Sequence, residues 1–175
     1  LELSRLQSGT EAMEPAKLNV TELIEEMPMR YETLAEEKGI EFTTDLMENC
    51  PYTWANADRV EQILTILLDN AFKFTPPEGR VWIETQVQNQ KILVRVKNSG
   101  DGIQPEDLPH VFERFYKADK AHTGGGTGLG LSIASEILQR MEESISVSSV
   151  PGQTTTFSFT LPVYDAEQHK TEEQD

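Results

Sequence analysis

Five of the 11 glycines fall in one run, Thr123-Gly-Gly-Gly-Thr-Gly-Leu-Gly-Leu131, and an apolar segment with helical spacing follows at once (Leu131, Ile133, Ala134, Ile137, Leu138). Glycine strips side-chain bulk from the backbone, so N–H groups can close on an anion, and a helix beginning there adds its positive dipole end. Phosphate can be held this way without formal charge. The spacing matches neither Gly-x-x-x-x-Gly-Lys-Ser/Thr nor a complete Gly-x-Gly-x-x-Gly after a strand. Taken alone, the run fits a flexible hinge or a plain helix start equally well. A second cluster lies upstream, where Asn70 and Lys73 are three apart and share a face of a predicted helix that ends at Phe74. An asparagine carbonyl is a hard oxygen ligand suited to Mg²⁺, and a lysine one turn away can meet a phosphate. The ring of Phe74 could cover a base. Singly, these residues read as a solvated amide, a surface charge and a core aromatic. Ahead of a glycine-rich loop, they point together to a nucleotide.

The elements that must position these groups follow from periodicity. Leu1, Leu3 and Leu6 read as the tail of a helix stopped by Gly9, and residues 10–18, with Pro15, as a linker. A helix is predicted from Val20 to Lys38, ended by Gly39, with Leu23, Ile24, Met27, Tyr31, Leu34 and Ala35 at 3–4 spacing. Ile40–Met47 reads as a strand. A second helix spans Asp58–Phe74, with Val60, Ile63, Leu64, Leu67 and Ala71 as its core stripe, and Thr75-Pro76-Pro77 breaks it. Val81–Val87 and Ile92–Val96 alternate and form a hairpin around Asn89-Gln90. From Asn98 to Gly130 the pattern dissolves into Gly, Pro, Asp and basic residues, a length that suits a functional lid. A helix over 130–141 and strands over 144–150 and 154–163 follow, then an acidic tail over 165–175 that is expected to be disordered. The predicted fold is a two-layer α/β sandwich: a mixed, mostly antiparallel sheet of about five strands, with three helices on one face and a long lid.

Composition narrows the partners. A net charge of −15, from 30 acidic against 15 basic residues, repels nucleic acid and anionic membranes. A polyphosphate site must therefore gather local positive charge, which Lys117, Lys120 and His122 supply in the lid. The single cysteine, Cys50, cannot form an intrachain disulfide, so a reducing, cytoplasmic setting is expected. No apolar run approaches bilayer-spanning length. The chain starts on Leu1 inside a helical pattern, as a piece of a longer protein would, and membrane segments could lie outside it.

Five motifs in order then carry a specific resemblance. Leu67-Leu-Asp-Asn-Ala-Phe-Lys-Phe-Thr75 resembles the N box of bacterial two-component sensor histidine kinases, and Val96-Lys-Asn-Ser-Gly-Asp-Gly-Ile103 their first glycine box. Phe112-Glu-Arg-Phe-Tyr-Lys117 resembles the F box, Gly124–Leu131 the second glycine box, and Gly152-Gln-Thr-Thr-Thr-Phe157 the closing glycine/threonine element. The match covers roughly 19–163, and Leu3–Gly9 is similar to the end of the dimerisation helix that precedes this domain. The resemblance implies domain bounds of 1–18 for that helix end and linker, 19–164 for an ATP-binding catalytic domain, and 165–175 for the tail. It implies Mg²⁺ and phosphate chemistry at Asn70, Lys73 and Arg114, with Arg114 stabilising the γ-phosphate. Phe74, Asn98, Gly100, Gly102, Ile103 and Thr155 would surround adenine. Lys117, Gly126, Thr127, Gly128, Leu129, Gly130 and Leu131 would close over the phosphates. Phe112 and Phe115 are expected to anchor the lid in apolar surface. The implied activity is transfer of the γ-phosphoryl group of Mg·ATP to a histidine on the protein's own dimerisation domain. A response regulator is then an indirect partner, and homodimerisation resides in helices outside this stretch.

Two departures from the pattern matter. Asn98 stands where the family has aspartate, which exchanges a charged hydrogen bond for a neutral one. The expected loss is roughly 1 kcal/mol, or about five-fold in ATP affinity. Ile66, one turn before Asn70, stands where gyrase-like and mismatch-repair ATPases carry a water-activating glutamate, and isoleucine cannot take a proton. That favours transfer to an external imidazole over hydrolysis. His110, His122 and His169 all lack the acidic and basic-Ser/Thr-Pro context of the family's phosphoacceptor. Alternatives at this stage are a degenerate nucleotide sensor, an ATPase of the same superfamily, and an anti-sigma serine kinase.

Overall fold

Apolar positions at 3–4 spacing make the long central helix the keel of the molecule. The computed structural model describes residues 14–117 and 128–169. In it, strand β1 (Ala16–Leu18) is followed by helices α1 (Val20–Glu25), α2 (Met27–Arg30) and α3 (Glu32–Lys38), then β2 (Glu41–Asp45) and β3 (Thr53–Ala55). Helix α4 (Ala57–Phe74) leads into the β4 (Arg80–Gln88) and β5 (Lys91–Ser99) hairpin, and α5 (Gly130–Arg140), β6 (Ile145–Val150) and β7 (Thr154–Pro162) close the order. The side chain of Asn56 caps α4 by accepting the Arg59 N–H at 3.0 Å. At the other end the Thr75 hydroxyl donates back to the Ala71 carbonyl at 2.6 Å, one residue before Pro76 and Pro77.

The main sheet has five strands in the order β2-β4-β5-β7-β6. Only β2–β4 is parallel; the other three pairings are antiparallel. Asn89 and Gln90 both take positive φ, 52° and 62°, as a two-residue hairpin turn requires. Period-2 alternation turns Val81, Ile83, Val94, Val96, Phe157, Phe159 and Leu161 inward. They meet Val60, Ile63, Leu64, Leu67, Leu68 and Phe72 of α4 and Ile137 and Leu138 of α5 in one core. The opposite face carries Trp82, flanked by Arg80 and Lys97, and is partly wet. The two-layer mixed sandwich is as expected.

Four local expectations fail, each for a physical reason. The predicted 20–38 helix is three pieces, because Pro28 at the start of α2 brings no N–H and crowds the preceding turn. Gly39 does end it, with φ 67°. Leu34, assigned to the core stripe, is exposed. The 10–18 linker ends in a strand, since β1 pairs antiparallel with β3 in a two-stranded ribbon of three residues a side. In the tail, 165–169 form a helical turn rather than disordered chain. His169 is buried there, stacked 4.5 Å from the Trp54 ring and 5.5 Å from Tyr164. The helix predicted before Gly9 lies outside the described residues. No helix among the described residues is long and apolar enough to cross a membrane.

Candidate active site

The site lies where the C-terminal end of α4, the end of β5 and the start of α5 converge. Asn70 is half-buried on α4, while Lys73 and Phe74 on its last turn are exposed, with the Lys73 ammonium 5.3 Å from the Phe74 ring centroid. This end of α4 is braced from two sides. Tyr31 donates to Asp69 Oδ1 at 2.7 Å, next to Asn70, and Lys38 donates to the Phe72 carbonyl. Burial first, and then the bond to Asp69, push the Tyr31 phenol well above the usual tyrosine range.

The first glycine box leaves β5 directly beneath Phe74. A Cβ at Gly100 would stand 3.0 Å from the Phe74 carbonyl oxygen, at φ 151°. One at Gly102, with φ 80°, would stand 2.7 Å from the Ser149 hydroxyl and 3.1 Å from Pro151 Cα. The backbone must therefore pass closer here than any side chain permits. Ile103 then turns back to pack on the core, its N–H donating to Ser149 Oγ at 2.8 Å. Asn98 and Thr155 are cross-strand partners on the inner face of β5 and β7, 4% and 6% exposed.

At the third corner, α5 begins on Gly130 without a side-chain cap. Its N-terminal amides, like those of α2 and α3, have no side-chain cap, and an anion can satisfy them. A Cβ at Gly130 would be 3.5 Å from Ile66 Cγ2, so Ile66 packs under the start of α5 and offers it no polar group. Leu129 and Leu131 are half-buried beside it. Gly128, at φ 76°, accepts the Phe115 N–H at 2.9 Å, and a Cβ there would lie 2.8 Å from Phe115 Cα. This contact ties the F-box turn to the start of α5.

The F-box turn is ordered by its own contacts. Tyr116 donates to Asp107 Oδ1, and that bond, before partial burial, pushes its phenol up to about 12. Phe112 packs edge-on against Phe157 with centroids 6.0 Å apart, as an anchor should. Phe115 does not anchor anything: at φ 66° its ring is 68% exposed. Arg114 reaches across to Glu136 of α5 at 3.5 Å. Lys117 is half-buried. Gly126 and Thr127, with Lys120 and His122, lie outside the described residues.

The structure thus sets Gly100 against Phe74, Gly130 against Ile66 one turn before Asn70, Gly128 against Phe115, Arg114 against Glu136 of α5, and Asn98 beside Thr155. Ser149, Glu136 and Tyr31 are contributors that motif reading misses. For Ser149 a signal existed, since Ile145, Val147 and Ser149 alternate onto the same inward face and the last is polar. As to metals, no group of three or more His, Cys, Asp and Glu among the described residues could hold an ion. A lone hard amide oxygen at Asn70 fits Mg²⁺ that brings its remaining ligands as water and phosphate oxygens.

The model for the histidine kinase-, DNA gyrase B-, and HSP90-like ATPase family matches residues 55–165, from β3 through the whole main-sheet return. The chain belongs to this family. It is 37% identical over 145 residues to the sensor protein SrrB of Staphylococcus aureus (strain MRSA252), covering 82% of this chain and 25% of SrrB. It is 32% identical over 164 residues to the sensor histidine kinase RppB of Synechocystis sp. (strain ATCC 27184 / PCC 6803 / Kazusa), covering 93% and 36%. Full-length ShkA, solved in complex with AMPPNP, superposes with a TM-score of 0.83 at 27% identity, over 94% of this chain and 35% of ShkA. The chain therefore spans about a quarter to a third of the length of these curated relatives.

Proposed function

We propose that the chain is the catalytic, ATP-binding domain of a sensor histidine kinase, taking Mg·ATP and passing its γ-phosphoryl group to a histidine on the dimerisation helices of the same protein. One observation carries this reading: the uncapped, glycine-led start of α5 lies against Ile66 of α4, one turn before Asn70. In it, the α5 amides and the Lys73 ammonium hold the phosphates, and Arg114 meets the γ-phosphate. Phe74 covers one face of the base, while Asn98 and Thr155 read its edge. Bound Mg²⁺, held through Asn70, would neutralise charge developing on the phosphate oxygens. The residues present position and neutralise, which is most of what phosphoryl transfer asks of a protein.

His110, His122 and His169 all lack the family's phosphoacceptor context, so the acceptor is assigned to the dimerisation helices. His110 is engaged by Glu113 at 2.9 Å, and His169 is buried between Trp54 and Tyr164. The apolar contact of Ile66 with Gly130 argues against an ATPase that hydrolyses for its own sake, because no base stands at that position to activate water. A response regulator is the expected next acceptor of the phosphoryl group. The test mixes the chain with the histidine-bearing dimerisation segment of the same protein and radiolabelled ATP. Acid-labile, base-stable label on that segment is the expected result. Tight ATP binding with no label transferred would instead mean a nucleotide sensor.

A further inference from the structure

Three hydrogen bonds converge on the Ser149 hydroxyl at the end of β6, beside the first glycine box. It accepts the Ile103 N–H at 2.8 Å, donates to the Thr154 carbonyl at 3.0 Å, and lies 3.2 Å from Thr155 Oγ1. A serine hydroxyl has one proton and two lone pairs. With its proton on the Thr154 carbonyl, the contact to Thr155 must run the other way, Thr155 O–H donating to Ser149. Thr155 then has only lone pairs left to offer the pocket. Its register partner Asn98 donates one Nδ2 proton to the Ser99 carbonyl at 3.0 Å, which leaves its second N–H and its amide oxygen for a ligand. The two buried neighbours thus both engage the adjoining Ser99–Thr154 pair, Asn98 directly and Thr155 through Ser149, and of the two only Thr155 is left without a proton to give.

We propose that Ser149 is a positioning residue that sets base selectivity, by forcing Thr155 to face the purine as an acceptor only. The inference rests on reading the site as one for ATP. Adenine presents an amino group at its six-position, and hypoxanthine or guanine presents a carbonyl oxygen there. An acceptor-only Thr155 pairs with the first and repels the second, and sites that leave buried polar groups unpaired reject a ligand strongly. The same hydroxyl explains one glycine, since any side chain at 102 would displace it.

Calorimetric titration of the chain with Mg·ATP and Mg·ITP, which differ in the six-position group and in the proton that hypoxanthine carries on N1, tests the proposal. The wild type should prefer ATP by about a hundredfold or more. In Ser149→Ala the Thr155 hydroxyl is free to turn its proton to the base, and the Ile103 N–H loses its acceptor. ATP affinity should fall roughly tenfold while the preference for ATP over ITP shrinks by at least about as much. Ser149→Thr keeps the hydroxyl and should hold the wild-type preference. If Ser149→Ala weakens both nucleotides by one common factor, or neither, the residue merely braces the loop and the proposal is overturned alone. A wild-type chain that binds no ATP overturns the parent reading and this one with it.

Discussion

Replacing Glu136 by glutamine should tighten ATP binding and leave ADP binding unchanged. Arg114 is held 3.5 Å from the Glu136 carboxylate, with the two side chains 47% and 23% exposed. If Arg114 meets the γ-phosphate, this ion pair must break first. The bare Coulomb attraction at that distance is about 5 kcal/mol for an effective dielectric of 20. Water screens a half-exposed arginine, and measured pairs of this kind are worth about 0.2–1 kcal/mol. Removing the pair should therefore lower the ATP dissociation constant by up to about five-fold. The helix is little affected, because the Glu136–Arg140 contact at 4.0 Å is an exposed i,i+4 pair. Isothermal titration with ATP and ADP separates this latch from a general effect. If the gain came only from deleting one negative charge in a chain of net −15, ADP would gain as ATP does. An equal gain for both nucleotides, or none for ATP, refutes the latch.

Other outcomes follow from the same geometry. Asn98→Asp should gain less than the five-fold expected from charge alone, because a carboxylate oxygen would replace Nδ2 at 3.0 Å from the Ser99 carbonyl, and competition titration reads this directly. A gain of five-fold or more would contradict the observed amide orientation. Gly128→Ala, forcing a Cβ to 2.8 Å from Phe115 Cα at φ 76°, should abolish most ATP affinity while thermal unfolding shifts only modestly; unchanged affinity would mean the F-box tie is dispensable. Tyr31→Phe removes the bond to Asp69 at a cost of about 0.5–1.5 kcal/mol, which should lower Tm by about 2–4 °C for each kcal/mol. An unchanged Tm would show that Asp69 needs no partner.

How far the sequence reaches depends on whether a contact is local. Helix α4 is legible almost to the residue, since Asn56, the apolar stripe and Thr75-Pro76-Pro77 all lie within it or at its ends. The ribbon of β1 and β3 is not, because each strand has three residues and finds its partner only across the chain. The tail reads as disordered from composition, yet the aromatic surface of Trp54 and Tyr164 captures His169. At the site, the motifs name the residues that would touch nucleotide but not those that orient them. Glu136 and Tyr31 act through neighbours distant in sequence, and Ser149 joins a hairpin neighbour to the distant Ile103. Phe115 misleads because its positive φ, fixed by Gly128, points an apolar ring to solvent.

Every step of the proposed phosphoryl transfer requires a nucleotide held through magnesium at position 70. The most direct measurement is calorimetric titration of wild type and Asn70→Ala with ATP, each in the presence and absence of Mg²⁺. Wild type should bind ATP far more tightly with the ion, and the alanine variant, still folded, should lose that difference. Identical isotherms for the two proteins with Mg²⁺ present would contradict it.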